Sequence, residues 1–189
     1  RIVKFSLVDA APISKAKITG LTAKDYTGNE VTQDFTVKMG SDILIKGTDY
    51  DVVYSNNVNA GTATVTVVGK GSYYGTKKAT FKITPIATLN KVKFTLNKTS
   101  VPYSGIAYEI GKGIDVTAEF NGRILVKDAD FTCTYKKNTD AGTATVTFTG
   151  KGGYSGTAKK TFKITGADIS LLNIVFLDSE GNAKTDSSY

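Results

Sequence analysis

Residues 49–84 read DYDVVYSNNVNAGTATVTVVGKGSYYGTKKATFKIT, and residues 130–165 read DFTCTYKKNTDAGTATVTFTGKGGYSGTAKKTFKIT. Without gaps, 22 of these 36 positions are identical at an offset of 81 residues. Self-similarity at a fixed period is the signature of a chain built from repeated structural units. The sequence therefore predicts two copies of one architecture.

The similarity extends upstream of this stretch in a looser form. Residues 26–28 (Tyr-Thr-Gly) correspond to residues 103–105 (Tyr-Ser-Gly), and residues 43–46 (Ile-Leu-Ile-Lys) correspond to residues 124–127 (Ile-Leu-Val-Lys). The number of residues between these two segments differs by four between the two copies. We therefore expect a longer loop in the second copy, near residues 108–113.

Apolar and polar residues alternate within each copy, which is typical of half-buried β-strands. Ala63, Val65 and Val67 alternate with threonines, and the second copy repeats the pattern at Ala144, Val146 and Phe148. Asn, Asp and Gly separate these runs at intervals of about ten residues, as in β-sandwiches. The sequence predicts an all-β fold of two tandem immunoglobulin-like β-sandwich domains.

The repeat also sets the expected domain limits. We predict one immunoglobulin-like repeat over residues 12–85 and a second over residues 86–166. Residues 1–11 are interpreted as an N-terminal strand or the remainder of a preceding unit, and residues 167–189 as the start of a third unit or a C-terminal extension. The junction at residues 84–87 is too short for a flexible tether, so the two repeats are expected to stack nearly end to end.

The composition argues against several classes of function. The chain has 189 residues, no histidine and one cysteine, so the commonest general base and metal ligand are missing and no intramolecular disulfide is available. The net charge of +7 comes from scattered lysines with only two arginines, Arg1 and Arg123, whereas nucleic-acid readout favours arginine. No apolar run approaches the ~20 residues of a membrane-spanning helix.

Three residues are expected to face the core because of their strand phase. Cys133 alternates with Thr132 and Thr134 and matches Val52 of the first copy, which predicts a small hydrophobic residue instead of a reactive thiol. Tyr54 and Tyr135 share that phase and are predicted to face inward.

The amino-acid sequence of the repeat resembles the tandem bacterial immunoglobulin-like repeats of Gram-positive surface and secreted proteins. The resemblance covers residues 13–165 and rests on the segments quoted above. It implies a spacer or stalk that projects other modules from the cell wall, without catalysis of its own. The second copy departs from the first where residues 128–130 (Asp-Ala-Asp) replace residues 47–49 (Gly-Thr-Asp).

The tyrosines of the glycine-rich segments leave an alternative open. Tyr73, Tyr74 and Tyr154 lie among glycines, where an aromatic face is suited to stacking on a sugar ring. Tyr73 and Tyr154 are equivalent in the two copies, however, and a tyrosine at such a crossing often closes the end of a sandwich while its hydroxyl bonds to the backbone.

Other candidate sites have simpler structural explanations. The glycine segments around Lys70 and Lys151 lack the spacing and the helix of a phosphate-binding loop. Carboxylates at strand ends commonly cap turns; those in question are Asp49, Asp51, Asp128 and Asp130. Residues 178–182 lack the ligand spacing of a calcium loop and are better explained as a hairpin turn. A Lys–Asn isopeptide cross-link, a less favoured idea, would draw on Asn57, Asn138, Lys82 and Lys163.

These observations predict a non-catalytic structural or adhesion-stalk repeat of a bacterial cell-surface or secreted protein. They predict no catalytic, cofactor or metal-binding residues. The alternative is a glycan- or surface-polymer-binding module. The expected partners are neighbouring repeats of the same chain and glycans or wall polymers, with no specific nucleic acid and no membrane span.

Overall fold

The computed structural model describes residues 10–166 and Glu180. Residues 10–85 contain nine short strands and one 3-10 turn at Ile13–Lys15. The strands are β1 (Ala11–Pro12), β2 (Lys17–Thr19), β3 (Lys24–Asp25), β4 (Thr36–Met39), β5 (Asp42–Ile43), β6 (Tyr50–Ser55), β7 (Gly61–Gly69), β8 (Tyr73–Tyr74) and β9 (Thr76–Thr84). We call residues 10–85 the first unit.

Two sheets form the first unit. One has the strand order β3-β9-β7-β6 and the other the order β2-β4-β5, with β1 and β8 as an additional pair. Val37 of β4 and Ala63 and Val65 of β7 belong to one buried cluster, so the core lies between the two sheets. This is the β-sandwich that the alternating pattern predicts.

Residues 86–166, the second unit, repeat this arrangement. Their strands are β10 (Ala87–Thr88), β11 (Lys93–Leu96), β12 (Ser100–Pro102), β13 (Glu109–Ile110), β14 (Gly113–Ile114), β15 (Val116–Phe120), β16 (Arg123–Ile124), β17 (Phe131–Lys136), β18 (Gly142–Gly150), β19 (Tyr154–Ser155) and β20 (Thr157–Thr165), with a 3-10 turn at Leu89–Lys91. The sheet orders are β12-β20-β18-β17 and β11-β15-β16, with β10 paired to β19.

The described part of the chain contains no α-helix, so the predicted all-β class is confirmed. The short parallel pair β13–β14 has no counterpart in the first unit and occupies the region where the sequence predicts a longer loop. The domain limits themselves stay predictions, and those for residues 1–9 and 167–189 lie outside the described residues, as does the third-unit interpretation.

The central strands show why the alternating pattern folds in this way. Ala63, Val65 and Val67 are fully buried, whereas the intervening Thr64 and Thr66 are half-buried on the outer face. Because β7 pairs with β6 on one side and β9 on the other, its backbone groups are satisfied within the sheet. The stiff threonine side chains suit the outer, pleated surface.

Candidate functional site

The three tyrosines of the glycine-rich turns differ in exposure. Tyr74 is 55% exposed, Tyr73 is half-buried and Tyr154 is only 2% exposed. Ser155 takes the place of Tyr74 in the second unit. In this structure Tyr74 alone of the three presents a largely open ring to solvent, and the buried Tyr154 ring offers no free face to a sugar.

Tyr154 packs in the core of the second unit beside a charged pair. The guanidinium carbon of Arg123 lies 5.7 Å from the centroid of its ring, within cation–π range. Arg123 also pairs with the Asp130 carboxylate at 3.2 Å. Burial raises the pKa of the Tyr154 phenol.

The hydroxyl of Tyr154 is buried and has no hydrogen-bond partner among the described residues. The backbone hydrogen bond that the packing interpretation expects from this hydroxyl is therefore missing among the described residues, whereas the ring itself lies in the buried cluster of the second unit. An unpaired buried hydroxyl destabilises the fold, because its bonds to water are lost without replacement.

The candidate carboxylates hold turns together. Asp49 Oδ2 accepts a hydrogen bond from the Ile45 amide at 2.7 Å, and Asp130 Oδ2 accepts one from the Val126 amide at 2.9 Å. These equivalent bonds close the same turn in both units, as the capping interpretation predicts. Asp51 and Asp128 lie at the surface, and Asp128 has a φ of 68°.

The lysines of the glycine turns also make local contacts. Lys70 Nζ lies 3.5 Å from the Asp51 carboxylate, and Lys151 Nζ donates to the Asp128 carbonyl oxygen at 2.6 Å. Among the described residues no α-helix follows either lysine, so these two turns have neither the helix nor the spacing of a phosphate-binding loop.

Of the residues considered for an isopeptide bond, the two asparagines are hydrogen-bonded to backbone and the two lysines are exposed. Asn57 is buried, and its amide nitrogen donates to the Val31 carbonyl oxygen at 3.3 Å. The equivalent Asn138 donates to the Tyr108 carbonyl oxygen at 2.9 Å. Lys82 and Lys163 are exposed. Asn57 thus fastens the loop at Val31 to the β6–β7 turn, and Asn138 fastens the loop at Tyr108 to the β17–β18 turn. Residues 178–182, apart from Glu180, lie outside the described residues.

Tyr54 and Tyr135 face the core as their strand phase predicts, and both are half-buried. The Tyr54 hydroxyl donates to the Gln33 carbonyl oxygen at 3.0 Å, and the Tyr135 hydroxyl accepts from the Ile110 amide at 2.8 Å. Burial is the main cause that raises the pKa of Tyr135 to about 12.

Cys133 also points inward, but it is half-buried where the sequence predicts a buried residue. β17 is an edge strand of its sheet, and burial decreases along its inward face from Phe131, which is buried, to Cys133 and Tyr135, which are half-buried. Burial raises the pKa of the Cys133 thiol, which keeps it protonated and poorly nucleophilic at neutral pH.

The sequence predicts a short junction between the units, but not which residues meet there. The Ala60 amide of the first unit donates to the Gly152 carbonyl oxygen of the second at 2.8 Å. Beside this bond, the amide of Ile86, the first residue of the second unit, donates to the Gly153 carbonyl oxygen of the same unit at 2.7 Å. The bond from Ala60 joins backbone to backbone across the junction, and the backbone has fewer alternative positions than a side chain.

Close packing accompanies these hydrogen bonds. A β-carbon added to Gly153 would lie 2.7 Å from two ring carbons of Tyr26 and 2.7 Å from the Cδ1 of Ile86. Gly153 has no positive φ, so the close approach of Tyr26 and Ile86, and not the backbone conformation, favours glycine there. One signal in the sequence points to this contact: the otherwise equivalent turn of the first unit has Ser72 at that position.

The described residues contain no group of three or more His, Cys, Asp or Glu side chains placed to hold a metal ion. The same residues include no long apolar helix that could cross a membrane. Comparison with known proteins yielded no matching family model and no matching curated sequence.

Proposed function

We propose that this chain is a non-catalytic structural spacer, a stalk repeat of a bacterial cell-surface or secreted protein. The observation that supports it best is the junction, in which a backbone hydrogen bond from Ala60 to Gly152 and a tyrosine packed on a glycine hold consecutive units together. A spacer needs such a junction, because freely jointed units would not keep a distal module at a fixed distance.

A parallel strand pair in each unit gives a second line of support. In the first unit, the third strand, β3, pairs in parallel with the last strand, β9. In the second unit, the third strand, β12, pairs in parallel with the last strand, β20, over three residues. Tension between the two ends of a unit reaches the two strands before each pair first. Once it reaches the pair, it pulls the strands along one another, so their hydrogen bonds are strained together and not one at a time. This geometry suits a chain that transmits force.

The groups considered for chemistry are engaged in structure. The Asp49 and Asp130 carboxylates close turns, Asn57 and Asn138 fasten loops, and the Tyr54 hydroxyl binds backbone. Side chains used in this way stabilise a domain, and they fit a stalk whose role is to stay folded.

Single-molecule force spectroscopy tests the proposal. When the chain is pulled from its two ends, we expect the two units to unfold in separate events at high force. The matched control uses handles at Lys127 and Lys151, in a Cys133→Ser background, so that β17 is unzipped from β18. Both handle positions are exposed near the open end of this hairpin. Equal unfolding forces in the two geometries would contradict a force-transmitting role.

A glycan- or surface-polymer-binding module remains the second candidate, and the exposed ring of Tyr74 favours it. Tyr74 is 55% exposed and follows the half-buried Tyr73 in the glycine turn. The test is binding to an array of glycans and wall polymers, with Tyr74→Ala as the variant and Val53→Ala, exposed on a strand, as the control. Binding that Tyr74→Ala alone removes would favour this function over the spacer.

A further inference from the structure

At the junction, one surface of the first unit contacts the second unit. The second unit carries a copy of this same surface. In the first unit this surface consists of Tyr26 and Ala60, and in the second the equivalent residues are Tyr103 and Ala141. We call each pair a tyrosine end. The Tyr26 amide donates to the Thr84 carbonyl oxygen at 3.0 Å, and the Tyr103 amide donates to the Thr165 carbonyl oxygen at 2.8 Å. The same backbone bond thus positions both tyrosines.

The loops behind the two tyrosine ends are also fixed alike. The Val31 amide donates to the Asn57 carbonyl oxygen at 2.7 Å, and the Tyr108 amide donates to the Asn138 carbonyl oxygen at 2.8 Å. The tyrosine end of the second unit is therefore preorganised in the form that docks in the first.

The first unit likewise carries a copy of the turn that receives a tyrosine end. Gly152 and Gly153 correspond to Gly71 and Ser72, and we call each pair a glycine turn. The amides of Lys70 and Lys151 donate to the carbonyl oxygens of Asp49 and Asp130, both at 2.9 Å. Gly71 and Gly152 have φ values of 62° and 61°. The two turns thus share their backbone conformation at this glycine.

The two copies of each surface differ in exposure as an interface requires. At the junction Tyr26, Ala60 and Gly152 are half-buried and Gly153 is buried. Their four counterparts, Tyr103, Ala141, Gly71 and Ser72, are all exposed, Tyr103 by 47%. Within residues 10–166, the Ala141 amide and the Gly71 carbonyl oxygen make no hydrogen bond.

We propose that the tyrosine end of the second unit binds the glycine turn of the first unit of another copy of this chain. The Ala141 amide would donate to the Gly71 carbonyl oxygen, and the Tyr103 ring would pack on Ser72, as Ala60 and Tyr26 do on Gly152 and Gly153. The occupant follows from continuity with the junction inside the chain. Such a head-to-tail contact is heterologous and extends the stack without limit unless it closes into a ring.

Ser72 sets the strength of this contact. At the junction, a β-carbon in the position of Gly153 would meet both Tyr26 and Ile86 at 2.7 Å. In the first unit Ala10 stands where the junction has Ile86, since Ala11 pairs with Tyr73 as Ala87 pairs with Tyr154. The smaller Ala10 leaves room on that side of Ser72, but the crowding against the tyrosine ring remains. Association is therefore weaker than the contact inside the chain. A tethered neighbour also has an effective concentration in the millimolar range, which a second copy lacks.

Sedimentation velocity of the whole chain, from about 10 µM to about 1 mM, tests the proposal. We expect weak association in the native chain that increases with concentration. Ser72→Gly should tighten the association about tenfold, because it recreates the Gly153 position. Tyr103→Ala should remove association in both backgrounds. The control is Val53→Ala, which truncates an exposed apolar residue in the middle of β6 and should change nothing.

Two results would overturn the proposal. One is that the native chain and Ser72→Gly both remain monomeric to about 1 mM. The other is that association persists unchanged in Tyr103→Ala, which would place the contact elsewhere. The proposal does not depend on the spacer function, because the force experiment is carried out on single molecules and its outcome is independent of association.

Discussion

The ring of Tyr26 lies so close to Gly153 that a β-carbon on this glycine would be 2.7 Å from two ring carbons. The two residues belong to different units, and the backbone bonds from Ala60 and Ile86 flank their contact. The pair therefore explains how a short connection between two small sandwiches becomes a defined interface. It also supplies a single position at which that interface can be broken.

Gly153→Leu is expected to open the junction while both units stay folded. The leucine side chain has no room beneath Tyr26, and glycine is not needed there for its backbone conformation. In the native chain the Ala60 amide, which donates to Gly152 across the junction, should be protected from hydrogen exchange, and in the variant it should exchange rapidly. Ser72→Leu, at the equivalent exposed position, is the control. Retained protection in Gly153→Leu would show that this amide is held by something other than the junction.

Tyr154→Phe is expected to stabilise the second unit by about 1 kcal/mol. The Tyr154 hydroxyl is buried without a hydrogen-bond partner among the described residues, so its removal relieves a desolvation cost. The free energy of unfolding in urea measures the effect, with Tyr73→Phe, at the half-buried equivalent, as the comparison. A loss of about 1 kcal/mol instead would mean that the hydroxyl has a partner, such as an ordered water.

Tyr135 should make stability depend on alkaline pH. Its pKa is raised from 10.0 to about 12 in the folded chain, chiefly by burial. Because the folded state holds this proton more tightly than the unfolded state, the contribution is complete below pH 10.0 and is lost as pH rises through about 12. We expect the free energy of unfolding to fall over that interval.

Tyr135→Phe isolates this contribution, because the phenylalanine has no proton to lose. Urea unfolding at about pH 9 and about pH 11.5 should show a smaller alkaline loss in the variant than in the native chain. Tyr50 and Tyr154, whose pKa values burial also raises, titrate in both proteins and cancel in the comparison. Equal losses in the two proteins would show that Tyr135 ionises normally.

Asp130→Ala should destabilise the chain more than Asp49→Ala does. Asp130 is buried, accepts from the Val126 amide and pairs with Arg123 at 3.2 Å, whereas Asp49 is half-buried and accepts from the Ile45 amide. We expect losses of about 2 kcal/mol and about 1 kcal/mol respectively in urea unfolding. The reverse order would mean that the Arg123–Asp130 pair contributes nothing net.

The strand pattern could be predicted because its cause is local. The alternation of Val65 and Val67 with threonine determines which side chains face the core, and the structure buries both valines completely. The degree of burial was less predictable at edge strands. Cys133 has the phase of a core residue, but on the inward face of the edge strand β17 burial is complete only at Phe131, and the thiol is half-buried.

The junction could not be predicted because it depends on residues far apart in the sequence. Tyr26 and Gly153 meet only after both units have folded and docked, and neither stands out from the turns around it. The replacement of Ser72 by Gly153 in the second copy marks the place, yet a single serine-to-glycine difference has no meaning until the ring above it is known. The buried, unpaired hydroxyl of Tyr154 likewise follows from packing and not from pattern.

The most direct test of the central claim, a spacer whose units are held in a fixed relation, is the measurement of residual dipolar couplings in the weakly aligned native chain. The hydrogen bond from Ala60 to Gly152 and the packing of Tyr26 on Gly153 predict that the amides of both units fit one alignment tensor. Gly153→Leu should then require a separate tensor for each unit. Two independent tensors in the native chain would contradict the account, because the units would move freely and could not hold a distal module in place.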